Sequence, residues 1–470
     1  MRFRRGMEGP DVQDRVAGRG ELQLVLENST ENSAGLQGYY SPHNANLRSG
    51  FRVGTPIRIV FTHYGTAYYK WQGWIINLRA LPGKLMEREV VVRAGDWMDY
   101  AGRVTLSGLA IETDKRADQL MASLWVNSPR IPESIYFNKA SDVYSYGLDN
   151  TEDEGILILR EIHRLTLSEL GYSYIRGDTV GGGQLRFEAR GVRAGSVLRW
   201  AMTETELETR GLELSDHGLD GMINRVLVEL HPRRVDAGTS TVLFSLGNAP
   251  LIGATPVSFN APYRDPDSGR YVRVGGINMV TPVATTDYTL NTQADGGGTD
   301  LTANFSVTAT FGGNAALITV TKNSGADGYL TKCQLRGRGV YAFESVIVDL
   351  KDDASILKYG QMSQRIDMPY QSDVNLANTV AALVLANNKE PRTKVRKVRF
   401  TANMNSVAMM QALTRDIGDR ISVSESVSGL SAEQYFIHAI DFQLIASSTP
   451  TARTIIKTSW LLVPADQEAY

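Results

Sequence analysis

The stretch GYYSPHNANLRSGFRVGTPIRIVF (residues 38–61) runs a double tyrosine into Ser41-Pro42, crosses a polar loop and reaches an alternating segment through Gly50 and Gly54. Proline at 42 holds Ser41 extended, and the two glycines give the backbone the freedom a turn needs before a strand. Beyond Gly54, Ile57, Ile59 and Phe61 alternate with Arg58 and Val60, the period-two pattern of a half-buried strand. No obvious catalytic group stands beside the turn. The stretch therefore reads as a turn leading into a strand.

The same pattern extends on both sides. In ELQLVLEN, Leu22, Leu24 and Leu26 share a face; YYKWQGWIINL and EREVVVRAGDW follow as further strands around Pro82-Gly83. Four strands in succession predict a meander or small barrel over residues 1–105. From about residue 113 the period lengthens: Ala117, Leu120, Met121, Leu124 and Trp125 recur at three and four, predicting a short amphipathic helix capped by Asp114. A second helix is expected from Thr151 and Glu154 at capping-box spacing, through Ile158, Ile162 and Leu165, to Gly171 in the left-handed end position. A hairpin turning at Gly181–Gly183 and a strand carrying Val226, Val228 and Leu230 complete an α+β region over 106–239.

Between 240 and 339 the composition shifts to Thr, Gly, Asn, Val and Ala, with strands such as FSVTATF and ALITVTKN, and predicts an inserted β-sandwich. The last region, 340–470, carries one helix with Val374, Ala377, Val380, Ala381 and Val384 on a face and Pro391 beyond it; strands then run to the end. The expected fold is mainly β with an α+β middle, multi-domain, with two barrel-like domains at the ends and a sandwich between them.

Composition narrows the function. At 470 residues the chain exceeds one ordinary core. Its 49 basic and 51 acidic residues leave a net charge of −2, so no whole-chain field draws nucleic acid or anionic lipid. The single cysteine, Cys333, cannot close a disulfide within the chain. No apolar run approaches the ~20 residues that span a bilayer, and the start MRFRRGMEGPDVQDR lacks the apolar middle of a signal peptide; neither membrane insertion nor export by this route is expected.

Chemistry is sparse. The nucleophile elbow Gly-x-Ser-x-Gly, the zincin motif His-Glu-x-x-His, the Walker loop and Gly-x-Gly-x-x-Gly are all missing from the sequence, so no enzyme, cofactor or metal is expected. The six histidines are scattered. Glu152, Asp153 and Glu154 read as an acidic helix start, and Asp295 and Asp300, flanking three glycines, as a hairpin turn rather than a calcium loop. The run EPRTKVRKVRF gathers Arg392, Lys394, Arg396, Lys397 and Arg399; without interleaved aromatics it points to a solvated strand face or a protein contact before nucleic acid.

Several stretches together resemble the hub or minor tail proteins at the tip of long-tailed bacteriophages: Leu22–Asn28, the Tyr40–Pro42 turn, Gly50–Phe61, the aromatic-glycine step Trp71–Ile75, SELGYSYIRGDTVGGGQLRFEAR, DMPYQSDVNLANTVAALVLANNKEP, GDRISVSES and YFIHAIDFQLI. The resemblance implies a structural virion protein, a homotrimeric ring at the distal end of a tail. Two barrel-like domains per chain would alternate to give six docking surfaces for a sixfold tube. It implies tube and tip proteins as partners, genomic DNA passing without sequence-specific binding, and assembly in the host cytoplasm. Arg58 and the basic strand Arg392, Lys394, Arg396, Lys397 and Arg399 are the expected subunit or tube contacts. Two other readings compete: a glycan-binding module stacking sugars on Tyr68, Tyr69, Trp71 and Trp74, and a peptidoglycan hydrolase with carboxylates that sequence alone does not pair.

Overall fold

The computed structural model describes residues 1–81, 88–107, 109–148, 155–178, 181–215, 218–219, 221–267, 274–445 and 454–468. Its largest feature is an 11-stranded sheet built from both ends of the chain. In lateral order it runs Leu212–Leu214, Val395–Thr401, Ile455–Pro464, Leu430–Ile445, Arg2–Gly6, Glu21–Glu27, Glu89–Gly95, Thr66–Leu81 and Pro56–His63. Arg420–Glu425 also pairs with Leu430–Ile445, and Leu198–Met202 pairs with Arg420–Glu425.

The 16-residue strand Leu430–Ile445 organises this sheet. One of its edges pairs with Ile455–Pro464, from Tyr435↔Pro464 to Ile445↔Ile455. Its other edge is divided: the first half takes Arg420–Glu425, and Ala439–Gln443 takes Arg2–Gly6. The division falls where the register slips between Ile437 and Ala439. Gly6 meets the strand there with φ +118°, and a Cβ on it would lie 2.3 Å from the His438 carbonyl oxygen, so only glycine fits.

Each half of the sheet curls on itself. Across the six strands from Leu430–Ile445 to Pro56–His63, Phe61 of the last reaches Phe442 of the first, ring centroids 4.9 Å apart, with Phe3 stacked on Phe442 at 5.2 Å. Across the six strands from Leu198–Met202 to Leu212–Leu214, Trp200 meets Phe400 at 5.6 Å and Trp460 at 5.7 Å. The barrel-like ends expected from sequence are therefore two rolls of one open sheet. Neither closes by hydrogen bonds among the described residues, and the physical reason in the first roll is plain: Leu430–Ile445 already has partners on both edges, so Pro56–His63 packs by side chains alone.

Between the ends, the helices Ala117–Val126 and Ile158–Glu169 bury Leu120, Leu124, Ile162 and Leu165 against the hairpin Tyr172–Arg176 and Gln184–Glu188. Two details of the caps differ from expectation. Asp114 lies inside the strand Glu112–Arg116 with φ 55°, and the start of the helix is held instead by Gln119, whose Oε1 accepts from the Arg116 amide at 3.0 Å. Leu170, not Gly171, takes the left-handed position, φ 56°; Gly171 is needed because a Cβ there would lie 2.3 Å from the Glu188 carbonyl. The expected cap at Thr151–Glu154 lies outside the described residues.

The central segment has its own core. Strand Gly328–Ala342 anchors a six-stranded sheet, and Val257–Pro262, Ala315–Lys322 and Phe305–Phe311 form a second, with Leu243, Tyr263, Ile318, Leu330 and Leu335 buried between them. Cys333 is buried in the same core, and burial pushes its thiol up to about 11. A third unit packs the helix Val374–Asn388 on Val346–Lys351, Arg225–Leu230 and Ser363–Met368, burying Val226, Val228, Ile366, Val380 and Val384. Val374, assigned by sequence to the buried face, is exposed at the first helical turn.

Candidate functional surface: the basic strand and the polar sheet face

The basic run divides where its strand begins. Along Val395–Thr401, Val395, Val398 and Phe400 point into the core while Lys397, Arg399 and Thr401 turn outward. The outward residues belong to lateral rows set by register. One row reads Arg399, Ser459, Asp441, Arg4 and Glu21; the next reads Thr401, Lys457, Gln443, Arg2, Gln23 and Arg93. The first row alternates in sign and the second carries three cations, so one face of the shared sheet is a continuous charged band.

Ion pairs and a hydroxyl hydrogen bond stitch that band. Arg399 Nη2 donates to Glu213 Oε2 at 2.7 Å, Arg2 Nε to Asp441 Oδ1 at 2.9 Å, and Thr401 Oγ1 to Glu208 Oε1 at 2.6 Å. The Asp441 pair holds the Arg2 guanidinium above its usual range. Arg392 and Lys394 sit before the strand and serve elsewhere: Arg392 Nη1 reaches Asp466 Oδ2 at 2.5 Å, and Lys394 Nζ donates to Asn388 Oδ1 at 2.7 Å. Arg396 is exposed. Arg58 is exposed on the edge strand Pro56–His63, its guanidinium 5.7 Å above the Tyr69 ring, and the strand order sets it far from the basic run.

Sequence reasoning missed a buried charge cluster where the parts of the chain converge. Arg5 donates from Nη1 and Nη2 to both oxygens of Asp416 at 2.5 and 2.6 Å, from Nε to the Lys70 carbonyl and from Nη1 to the Ile175 carbonyl. Lys70 Nζ donates to the carbonyls of Leu413 and Arg415 at 3.1 and 3.0 Å. Arg176 bridges Asp178 and Asp419. Arg5, together with Lys70, holds the Asp416 carboxyl well below the usual range against its burial, while burial pushes the Lys70 amine down to about 8. The available signal was small: in RFRRG, Arg5 stands two residues from Phe3, on the same inward face.

Other candidates resolve into structure. Asp295 Oδ1 accepts from the Gly297 amide and Asp300 Oδ1 from the Thr302 amide and hydroxyl, so each carboxylate serves its own turn. His438 is buried and kept neutral, its Nε2 3.1 Å from Arg193 Nη1. Among the described residues one group could supply three metal ligands, Glu229, His231 and Asp367, within 4.8 Å of one another. Those groups are already engaged: His231 Nε2 lies 2.7 Å from Asp367 Oδ1, and Arg365 binds Glu229. Of the candidate sugar platform only Trp71 is buried, and the other three rings are half-buried with neighbours. Trp71 is 1% exposed, Tyr69 lies under Arg58, Trp74 lies under Arg130 at 4.7 Å, and the Tyr68 hydroxyl points at Met410.

These elements define a mainly β protein with two curled half-sheets sharing one strand. No family model and no curated protein matches the chain. Among solved structures it is similar to the 43 kDa tail protein of prophage MuSo2 from Shewanella oneidensis (9% identity, TM-score 0.46, covering 99% of this chain and 94% of that one). It is also similar to a tail protein from Neisseria meningitidis MC58 (10%, 0.43, covering 99% and 94%). A third is the E. coli c3393 protein, a component of the type VI secretion system with structural similarity to the T4 tail proteins gp27 and gp5 (10%, 0.37, covering 99% and 73%).

Proposed function

We propose that this chain is a structural hub of a phage-type tail, a homotrimer at the distal end that joins tail tube to tip proteins and surrounds the path of the ejected DNA. One observation carries the reading: a single chain bears two curled six-strand half-sheets fused on the strand Leu430–Ile445. Three copies would set six such rolls around an axis, the number a sixfold tube requires, and closed rotational symmetry is the common route to such rings. The sequence resemblance over Leu22–Asn28, Tyr40–Pro42, Gly50–Phe61 and the C-terminal strands supports the same assignment.

On this reading the two barrel-like units are the tube-facing domains and the segment with its own core, 240–339, is an inserted sandwich outside the minimal ring. The charged band through Lys397, Arg399, Lys457 and Arg2, with Arg58 at the sheet edge, supplies subunit or tube contacts. Mixed charge suits such a surface: complementary rows steer and register a neighbour without gripping DNA. The mechanism is assembly and release without bond chemistry. Quantitative mass spectrometry of purified tails tests it: three copies per particle are expected, and absence from tails, or copies equal to the tube subunit, overturns it.

A further inference from the structure

The basic residues that leave the sheet face line a pocket of about 270 Å³ at the start of the strand Val395–Thr401. Its walls are apolar, with Val12, Met222, Val395 and Leu462, and its cationic members are Arg392, Lys394 and Arg396. The volume is a little under the ~300–1,000 Å³ of typical ligand pockets. Among the described residues, the chain's own acids leave these cations incompletely matched. Asp466 is taken by Arg392, and Glu390 accepts from the Tyr359 hydroxyl at 2.6 Å. Asp11 is exposed among the lining residues. Half-buried Lys394 is satisfied by a neutral amide oxygen, that of Asn388, and among the described residues no carboxylate stands within ion-pair distance of Arg396. Burial, and then neighbouring Arg392, push the Lys394 amine down, and the nearby Asp466 and Asp11 carboxylates offset this only in part.

We infer that this pocket binds a carboxylate carried on a small apolar body, whether a free organic acid or the chain terminus of a partner protein. The carboxylate would take the place beside Lys394 and Arg396, and the apolar body would cover Val12, Met222 and Leu462. Such a site combines a few placed polar groups with an apolar floor. It stands on the pocket alone and does not depend on the hub reading.

Calorimetric titration of the full chain with N-acetyl-leucine and N-acetyl-leucinamide tests it. The acid is expected to bind in the millimolar range, suited to a ligand of this size, and the amide at least ~10-fold more weakly. Lys394→Met should lower affinity for the acid by ~10-fold or more, and Arg396→Gln, at an exposed position where folding is not at stake, by roughly 3-fold. A hexapeptide ending in a free leucine carboxylate distinguishes the sources: binding much tighter than N-acetyl-leucine supports a partner's terminus, and equal binding supports a small acid. Equal affinity for acid and amide, no binding of acid or peptide, or unchanged affinity in both variants would overturn the inference.

Discussion

Arg5 shows how a single residue can hide its role in sequence. It sits in a strand that reads RFRRG, yet it is 2% exposed, and its partner Asp416, over four hundred positions away in the chain, is fully buried. Local composition marks the segment as basic; only the fold shows one of its arginines facing inward. Removing one partner of such a pair leaves an uncompensated buried charge. Asp416→Asn is therefore expected to lower unfolding free energy by ~3–5 kcal/mol in chemical denaturation. Because the folded Asp416 carboxyl is held below its usual value, its contribution is present above about pH 4 and is lost as pH falls through the folded value. Lys70 has the same sign at higher pH, though here burial disfavours the charged form. Its amine is lowered from 10.5 to about 8, so between those values the unfolded chain binds more protons and this group adds stability as pH rises. Lys70→Met should flatten that rise, roughly 3 kcal/mol in the wild type, in denaturation curves taken across the same window.

At the scale of elements, periodicity was a good guide wherever one face is buried. The helix Ala117–Val126, the strand with Val226, Val228 and Leu230, the hairpin around Gly181–Gly183 and the helix Val374–Asn388 were all legible. Ends were less so, since a cap depends on which backbone group lies nearby. Gly171 illustrates the difference: its need for glycine comes from the approach of the Glu188 carbonyl on the neighbouring strand. Gly171→Ala is expected to cost about 1–3 kcal/mol, read as a shift in denaturant midpoint at constant slope. The aromatic triad Trp200, Phe400 and Trp460 closes the second roll across its strands. Trp460→Ala should cost ~3–5 kcal/mol, and a double-mutant cycle with Trp200→Ala should show coupling of about 0.5–1.5 kcal/mol. No coupling would mean that the two rings stabilise the roll independently of each other.

Across the whole molecule, what sequence could not reveal was lateral neighbourhood. YFIHAIDFQLI reads as a strand, but nothing local says that it receives Arg2–Gly6 on one half of an edge and Arg420–Glu425 on the other. Pairing between strands separated by almost the whole chain is a property of topology, and it turned two expected barrels into two rolls of one sheet. Of the candidate contacts, Lys397 and Arg399 reached a common charged face, Arg392 and Lys394 turned to a pocket, and Arg58 stayed at the opposite edge. Of the aromatics that a competing reading set to stack sugars, Trp71 went into the core and Tyr68, Tyr69 and Trp74 are half-buried. Joining both ends of the chain in one sheet also makes the rolls mutually dependent.

The native mass of the purified chain, by light scattering, tests the central claim most directly. With a chain of 51.7 kDa the ring predicts a particle of about 155 kDa. A particle at the mass of one chain, or of two, would contradict the trimeric hub.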